Sequence, residues 1–246
     1  MLSNLTAMKK LFLEFMIFML FGLFISLSAC KKDKVFIPQN IGPIIFNPSV
    51  VYDSMTDQDG NTYKTVTLGT QTWMAENLKV VHYRNGDPIP NVTDDQDWWN
   101  LRTGAYCDYG NAPEVSKVYG KLYNWYAVDD SRNIAPSSWH VPTNEEWGIL
   151  VNYLKGYMEA GGKLKESDYT HWPSPNVGAN NITGFTAIPG GIRLYPGKFS
   201  YISQMTFMWT STINYTYYLH YKSAFCEFAN EHNGPTNGCS VRCVKD

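Results

Sequence analysis

One stretch of this chain carries a sustained helical period, and it limits the fold more than any other. It reads VPTNEEWGILVNYLKGYMEAGG, residues 141–162. Thr143, followed three places later by Glu146, makes a capping box, in which each side chain satisfies a backbone N–H that the first helical turn leaves without a partner. Trp147, Leu150, Val151, Leu154 and Met158 then fall at i, i+3, i+4, i+7 and i+11, an apolar stripe along one helix face. Gly161-Gly162 is the expected stop. One firm helix, a second at most, among many short strands and long loops predicts an α+β domain.

The strands are read from turns and alternation. In TDQDGNTYKTVTLGTQTW, Asp59-Gly60 is a tight-turn signal. After it, Lys64, Val66 and Leu68 alternate with Tyr63, Thr65 and Thr67, as in a half-buried strand. Asp57, Asp59 and Asn61 have an oxygen spacing faintly like a calcium loop, but the downstream bidentate Glu is missing, and a plain turn is the favoured reading. NVTDDQDWWN reads as a solvated acidic loop with Trp98 and Trp99 tucked inward. YGKLYNWYAVDD fits a short helix or a buried strand equally. TFMWTST puts Phe207 and Trp209 on one face of a strand. YTYYLHYKS is a further strand, and CSVRCVKD the last.

The N-terminal part speaks to location. Lys9 and Lys10 precede an almost wholly apolar run that ends in small residues, the layout of an export signal. Leu27-Ser28-Ala29-Cys30 resembles a bacterial lipobox. That resemblance implies a signal over 1–29, cleavage before Cys30, and acyl chains on Cys30 that hold the protein to a membrane. The competing reading is an uncleaved transmembrane anchor, since Leu11 to Ala29 approaches the ~20 residues needed to span; Glu14 in its first turn weighs against it. Residues 30–50, with three prolines after the charged Lys31-Lys32-Asp33-Lys34, read as an extended tether. The folded domain is expected over 51–246. The expected location is the cell envelope, as an outer-membrane lipoprotein, with surface exposure left open.

Export also bears on the cysteines. With Cys30 assigned to lipid, Cys107, Cys226, Cys239 and Cys243 remain, and an oxidising compartment makes all four disulfide candidates. Sequence does not choose among their three pairings. Cys239 and Cys243 are four apart, about 13 Å in an extended strand, too far for a bond that needs Cα atoms within ~7 Å. The 20 basic and 22 acidic residues nearly balance, and without a basic stripe nucleic acid is excluded as a partner.

Several segments, in order, resemble one family: DGNTYKTVTLGTQTWMAENLKV, YGKLYNWYAV, WHVPTNEEWGILVNYL, NITGFTAIPGG followed by Arg193, and SVRCVKD. They look like the Fibrobacter succinogenes major paralogous domain, over about Asp53 to Asp246. The resemblance implies a C-type lectin-like fold related to the formylglycine-generating-enzyme branch: a small twisted antiparallel sheet, one or two flanking helices, long loops, and SVRCV as the closing strand with Val241 and Val244 in the packing. The family usually has a cysteine where Ala135 stands here. If that cysteine bridges the one matching Cys243, Cys243 here needs another partner or stays a thiol.

The resemblance does not imply one activity, so function is read from residues. His82, His140, His171, His220 and His232 show no metal-ligand spacing, and neither a nucleophile elbow nor a phosphate loop occurs. His140 reads as a structural histidine. Cys239 and Cys243 superficially resemble the copper-binding pair of formylglycine-generating enzymes, but a copper site needs two converging soft ligands, which strand spacing opposes. No catalytic residue, metal or cofactor is expected. Aromatic residues make up 15% of the chain, and Tyr and Trp suit binding faces. Residues 194–238 are expected to form the loop-rich recognition end, with Asn214, Tyr215, Tyr217, His220 and Tyr221 as its ligand-binding candidates. The expected function is adhesion or binding at the cell surface, to a protein or glycan; a structural part of a surface assembly is the alternative, and a copper or thiol oxidase the least favoured.

Overall fold

The computed structural model describes residues 35–38, 41–230 and 234–246. The expected export signal, Cys30 and His232 lie outside the described residues. Among these, the fold is α+β and mostly β. A first five-stranded sheet has the order β1 (Asp53–Thr56), β2 (Thr62–Leu68), β3 (Gln71–Met74), β12 (Val244–Lys245), β6 (Trp139–His140). The last strand is inserted: Val244 pairs with Trp73 on one side and His140 on the other, both antiparallel. Val241 and Val244 are buried, as expected of packing residues. The turn at Asp59-Gly60 joins β1 to β2, with Thr56 opposite Thr62.

Between these strands lie three short helices, α1 (Asp95–Asn100), α2 (Pro113–Tyr119) and α3 (Trp125–Val128), and a two-stranded pair, β4 (Tyr106–Cys107) with β5 (Leu122–Tyr123). The acidic stretch expected to be a solvated loop is the start of α1. Asp94 caps it by accepting from the N–H groups of Gln96 and Asp97, and Trp98 is buried below it.

The predicted long helix is two helices, α4 (Asn144–Tyr153) and α5 (Tyr157–Leu164). The capping box is formed by Thr143 and Glu146 as read. The break falls at Lys155 (φ 70°) and Gly156 (φ 95°), not at Gly161-Gly162, which sit inside α5. Those glycines serve close packing: a Cβ on Gly161 would lie 2.0 Å from the Phe225 carbonyl oxygen, and one on Gly162 2.4 Å from that of Gly178. Because the break turns α5, Met158 leaves the apolar stripe and is exposed.

Much of the described part of 194–238, expected to be a loop-rich end, is sheet. β7 (Gly190–Leu194), β8 (Lys198–Ile202), β9 (Met205–Trp209), β10 (Tyr215–His220) and β11 (Glu227–Asn230) assemble in the order β11-β10-β9-β7-β8. Two buried arginines tie this region to the rest. Arg193 donates to the carbonyls of Val92, Thr93 and Gly197, pairs with Asp95 at 2.9 Å, and stacks over Trp98. Arg242 donates to Asn77, Phe185 and Thr186 and lies over the Phe185 ring. A guanidinium spreads its donors in a plane, so one side chain can satisfy several loop carbonyls that no strand would reach.

The compact unit begins at Phe36. The stretch expected as a tether therefore packs on the domain from that point: Ile37, Ile41 and Ile44 lie against the apolar cluster around Trp98, Tyr109 and Tyr119.

Candidate functional site

A cleft of about 460 Å³ opens between the α4–α5 junction and the strands β10 and β11. One wall is Val151, Asn152 and Tyr157, and the other is Tyr217, Tyr218, Glu227 and Phe228, with Cys226 behind them. Two aromatic side chains face solvent across it: Tyr157 is 57% exposed and Phe228 60%. Phe228 is held upright by Tyr215 and Tyr217, whose rings lie 6.2 Å and 6.0 Å away between centroids. The Tyr157 carbonyl accepts the Cys226 N–H at 2.8 Å, which fixes the start of α5 to the strand side.

The base of this arrangement is a stack. Tyr217 lies on Trp147 with centroids 4.7 Å apart and planes at 13°. Its hydroxyl donates to Asn144 Oδ1 at 3.2 Å. Burial pushes the phenol up to about 12, and the charge of Glu145 adds to it. Tyr217 was expected on an exposed face, and this is corrected: it is 5% exposed. Strand alternation misplaces it because β10 is covered on both sides, so Thr216 and Tyr217 are buried in succession.

The other candidates are scattered around the cleft rather than gathered in it. Tyr215 and Tyr221 are half-buried, Tyr215 propping Phe228 and Tyr221 packing on the second core cluster. His220 sits beside Tyr221 with centroids 4.8 Å apart, and its Nδ1 accepts from the Lys222 N–H. Burial lowers its pKa, and Lys222 and Lys165 lower it further. Asn214 adopts a left-handed turn (φ 68°) ahead of β10. At the opposite end of β10 the buried Lys165 donates to the carbonyls of Val177, His220 and Ser223 at 2.8–3.0 Å. Burial pulls its pKa down to about 8. Three carbonyls match the three protons of an ammonium, so Lys165 reads as a strut.

A second cleft, of about 560 Å³, lies on the opposite flank of the same junction, lined by Tyr153, Leu154, Lys155 and Lys163 with Asp53, Thr65, Thr67 and Thr183. The α4–α5 junction is thus a ridge between two clefts. Ile149, Tyr153, Tyr157 and Met158 are exposed along it. Sequence reading missed Tyr153, Tyr157 and Phe228. Tyr153 lies off the apolar stripe, where a helix facing water would carry charge; Tyr157, seven places after Leu150, gave no such signal.

No disulfide joins the described cysteines. Cys107, Cys226 and the pair Cys239 and Cys243 fall in three separate apolar clusters. Burial pushes the Cys107 thiol up to about 12 and raises Cys226 and Cys243 well above the usual thiol range. Such groups are poor thiolate ligands. Cys243 packs where its N–H reaches Met74 Sδ, in the same cluster as Ala135. The carboxylate of Asp57 is taken up by the N–H groups of Asp59 and Asn61, the Asn61 amide and the Tyr63 hydroxyl, so the turn is organised by its own donors. Among the described residues no group of three His, Cys, Asp or Glu side chains is placed to hold a metal. His140 is clamped, with Nδ1 2.7 Å from Asp246 and Nε2 2.7 Å from Glu146.

The described residues thus form an α+β domain with an aromatic cleft and buried thiols. The family model of the Fibrobacter succinogenes major domain matches residues 66–245, and the chain belongs to that family. No curated protein and no solved structure matches it. Among the described residues no helix is long and apolar enough to cross a membrane.

Proposed function

We propose that this protein is an exported, lipid-anchored binding protein of the cell envelope that recognises a protein or glycan through the cleft between α5 and β11. The single observation that carries the reading is the pair Tyr157 and Phe228: two large rings, more than half exposed, on opposite walls of one cleft. Leaving such area in water forfeits burial free energy of about 25 cal/mol per Å², and patches of this kind mark interaction sites. Aromatic rings also stack on sugars and on partner side chains at little entropic cost.

The reading includes a C-type lectin-like architecture. The insertion of β12 beside β3, the inter-strand segments of irregular backbone and the two flanking helices support it. Acylation of Cys30, attachment to the outer membrane and action without catalysis belong to the same proposal. The raised thiols weigh against copper or thiol oxidation. The exposed ridge of Ile149, Tyr153, Tyr157 and Met158 favours a protein over a glycan, and leaves a role as one component of a surface assembly as the second reading. Glycan arrays and cell-surface pulldowns with the wild type beside a Tyr157→Ala, Phe228→Ala double variant test it. Ligands that the wild type retains and the variant loses support the proposal; retention by both contradicts it.

A further inference from the structure

The stretch ahead of β1 lies before the matched family region, yet it is held by buried side chains inside that region. Glu166 Oε1 accepts the Ile45 N–H at 2.7 Å. Glu166 Oε2 meets His171 Nδ1 at 2.7 Å, and both side chains are fully buried. His171 Nε2 lies 3.1 Å from the Gly42 carbonyl, which only accepts, so Nε2 donates to it while a second proton lies between Nδ1 and Glu166 Oε2. One carboxylate–imidazole unit therefore grips the chain at two points three residues apart. Asn47 Nδ2 donates to the Asn181 carbonyl at 2.9 Å, and Phe46 packs edge-on to Tyr52 under the Lys64 ammonium. On the other side of the grip Ile37, Ile41 and Ile44 sit on the core cluster. A linker that served only as a spacer would not spend a fully buried Glu and His on its backbone, because a buried charged group is costly unless fully paired.

We propose that the described residues of 36–50 are a strap built into the domain, clasped by Glu166 and His171, so that only the six residue steps from the anchored Cys30 to Phe36 separate the anchor from the fold and the domain works against the membrane surface. This rests on the lipoprotein reading of Cys30. Six residues reach about 20 Å at full extension, whereas a domain of this length is about 40 Å across. The fold cannot stand away from the bilayer by more than half its own breadth. Lys31, Lys32 and Lys34 against the single Asp33 give that short stretch a positive balance, which suits anionic headgroups. Phe36, 64% exposed where the strap begins, adds an apolar contact for the same interface.

The test uses full-length acylated protein in liposomes of phosphatidylglycerol and phosphatidylethanolamine carrying a dansyl headgroup. Hydrogen exchange reads residues 41–47, and energy transfer from tryptophan to dansyl reads the distance. The wild type is expected to protect the Ile45 amide and to transfer efficiently. Glu166→Gln with His171→Gln is expected to speed exchange over 41–47 by about tenfold or more and to reduce transfer as the released strap lengthens the reach. Ile45→Pro, which removes the gripped N–H at an exposed side-chain position and holds Ile44 to the extended region, is expected to act in the same direction while leaving Glu166 and His171 in place. Unprotected exchange over 41–47 in the wild type, or transfer unchanged in the variants, overturns the proposal. Mass analysis of the N-terminal peptide separates the two layers: an unacylated Cys30 overturns the lipoprotein reading and the membrane placement with it, while exchange reports on the strap by itself.

Discussion

Tyr217 lies flat on Trp147, at 4.7 Å between centroids and 13° between planes, and this stack is where the second sheet meets α4. It makes Tyr217 a support for the cleft rather than a contact for the ligand. Tyr217→Ala is therefore expected to lower stability by about 3 kcal/mol or more, as large-to-small changes of buried aromatics do. Tyr217→Phe keeps the stack, loses only the bond to Asn144, and is expected to cost about 1 kcal/mol. Denaturant titration of both variants checks the order.

A second prediction concerns pH. Burial alone would lower the His140 pKa, but its bonds to Asp246 and Glu146 raise it above 6.5 overall. A histidine with a raised pKa in the fold contributes its stability in full below about 6.5 and loses it as pH rises through the higher folded value. Since the group is partly open to water, about 1 kcal/mol or less is expected. Thermal melts at pH 6 and pH 8.5 should show the wild type losing more than His140→Gln across this interval.

The cysteines give a third. Fully buried thiols, of which only Cys239 and Cys243 share a cluster, should resist alkylation in the native state and react once the protein unfolds. Iodoacetamide labelling followed by peptide mass analysis, with and without denaturant, is expected to leave Cys107, Cys226, Cys239 and Cys243 unlabelled when folded and labelled when unfolded without reductant. Disulfide-linked peptides from the native protein would contradict this.

Gly161 offers a fourth. Its Cβ would meet the Phe225 carbonyl oxygen at 2.0 Å, so Gly161→Ala must push α5 away from the strand side of the cleft. Helix propensity alone would favour Ala by about 1 kcal/mol. The expected result is the reverse, a net destabilisation of about 1–3 kcal/mol, as overpacking produces. Urea titration decides the sign.

How far the sequence revealed this molecule depended on whether the causes were local. The cap of α4 was legible because Thr143 and Glu146 act within one turn, and the turn at Asp59-Gly60 for the same reason. The break at Gly156 was hidden because Gly161-Gly162 offered a more obvious stop; only the approach of Phe225 and Gly178 explains why those two glycines continue the helix. Tyr217 was misplaced because alternation assumes one wet face, whereas α4 covers the face that was assigned to ligand. The tether carries no local sign of packing; that its backbone at Gly42 and Ile45 is held by residues more than a hundred positions away is a tertiary fact with no local signal. Tyr157 and Phe228 meet across the cleft only through the return of the chain along β11, so neither alone stood out from the many other aromatic residues.

The central claim is that the cleft between Tyr157 and Phe228 binds, and one titration tests it most directly. With a ligand retained by the wild type, affinity is measured for the wild type, for Tyr157→Ala with Phe228→Ala, and for Tyr195→Ala, an exposed aromatic that packs on Trp99 and does not line the cleft. Anchoring aromatic residues at interfaces carry about 2 kcal/mol or more each, so the double variant is expected to weaken binding by roughly 30-fold or more, with its thermal midpoint close to that of the wild type and Tyr195→Ala unchanged in both. Undiminished affinity in the double variant, or equal loss in Tyr195→Ala, would contradict the assignment of this cleft as the binding site.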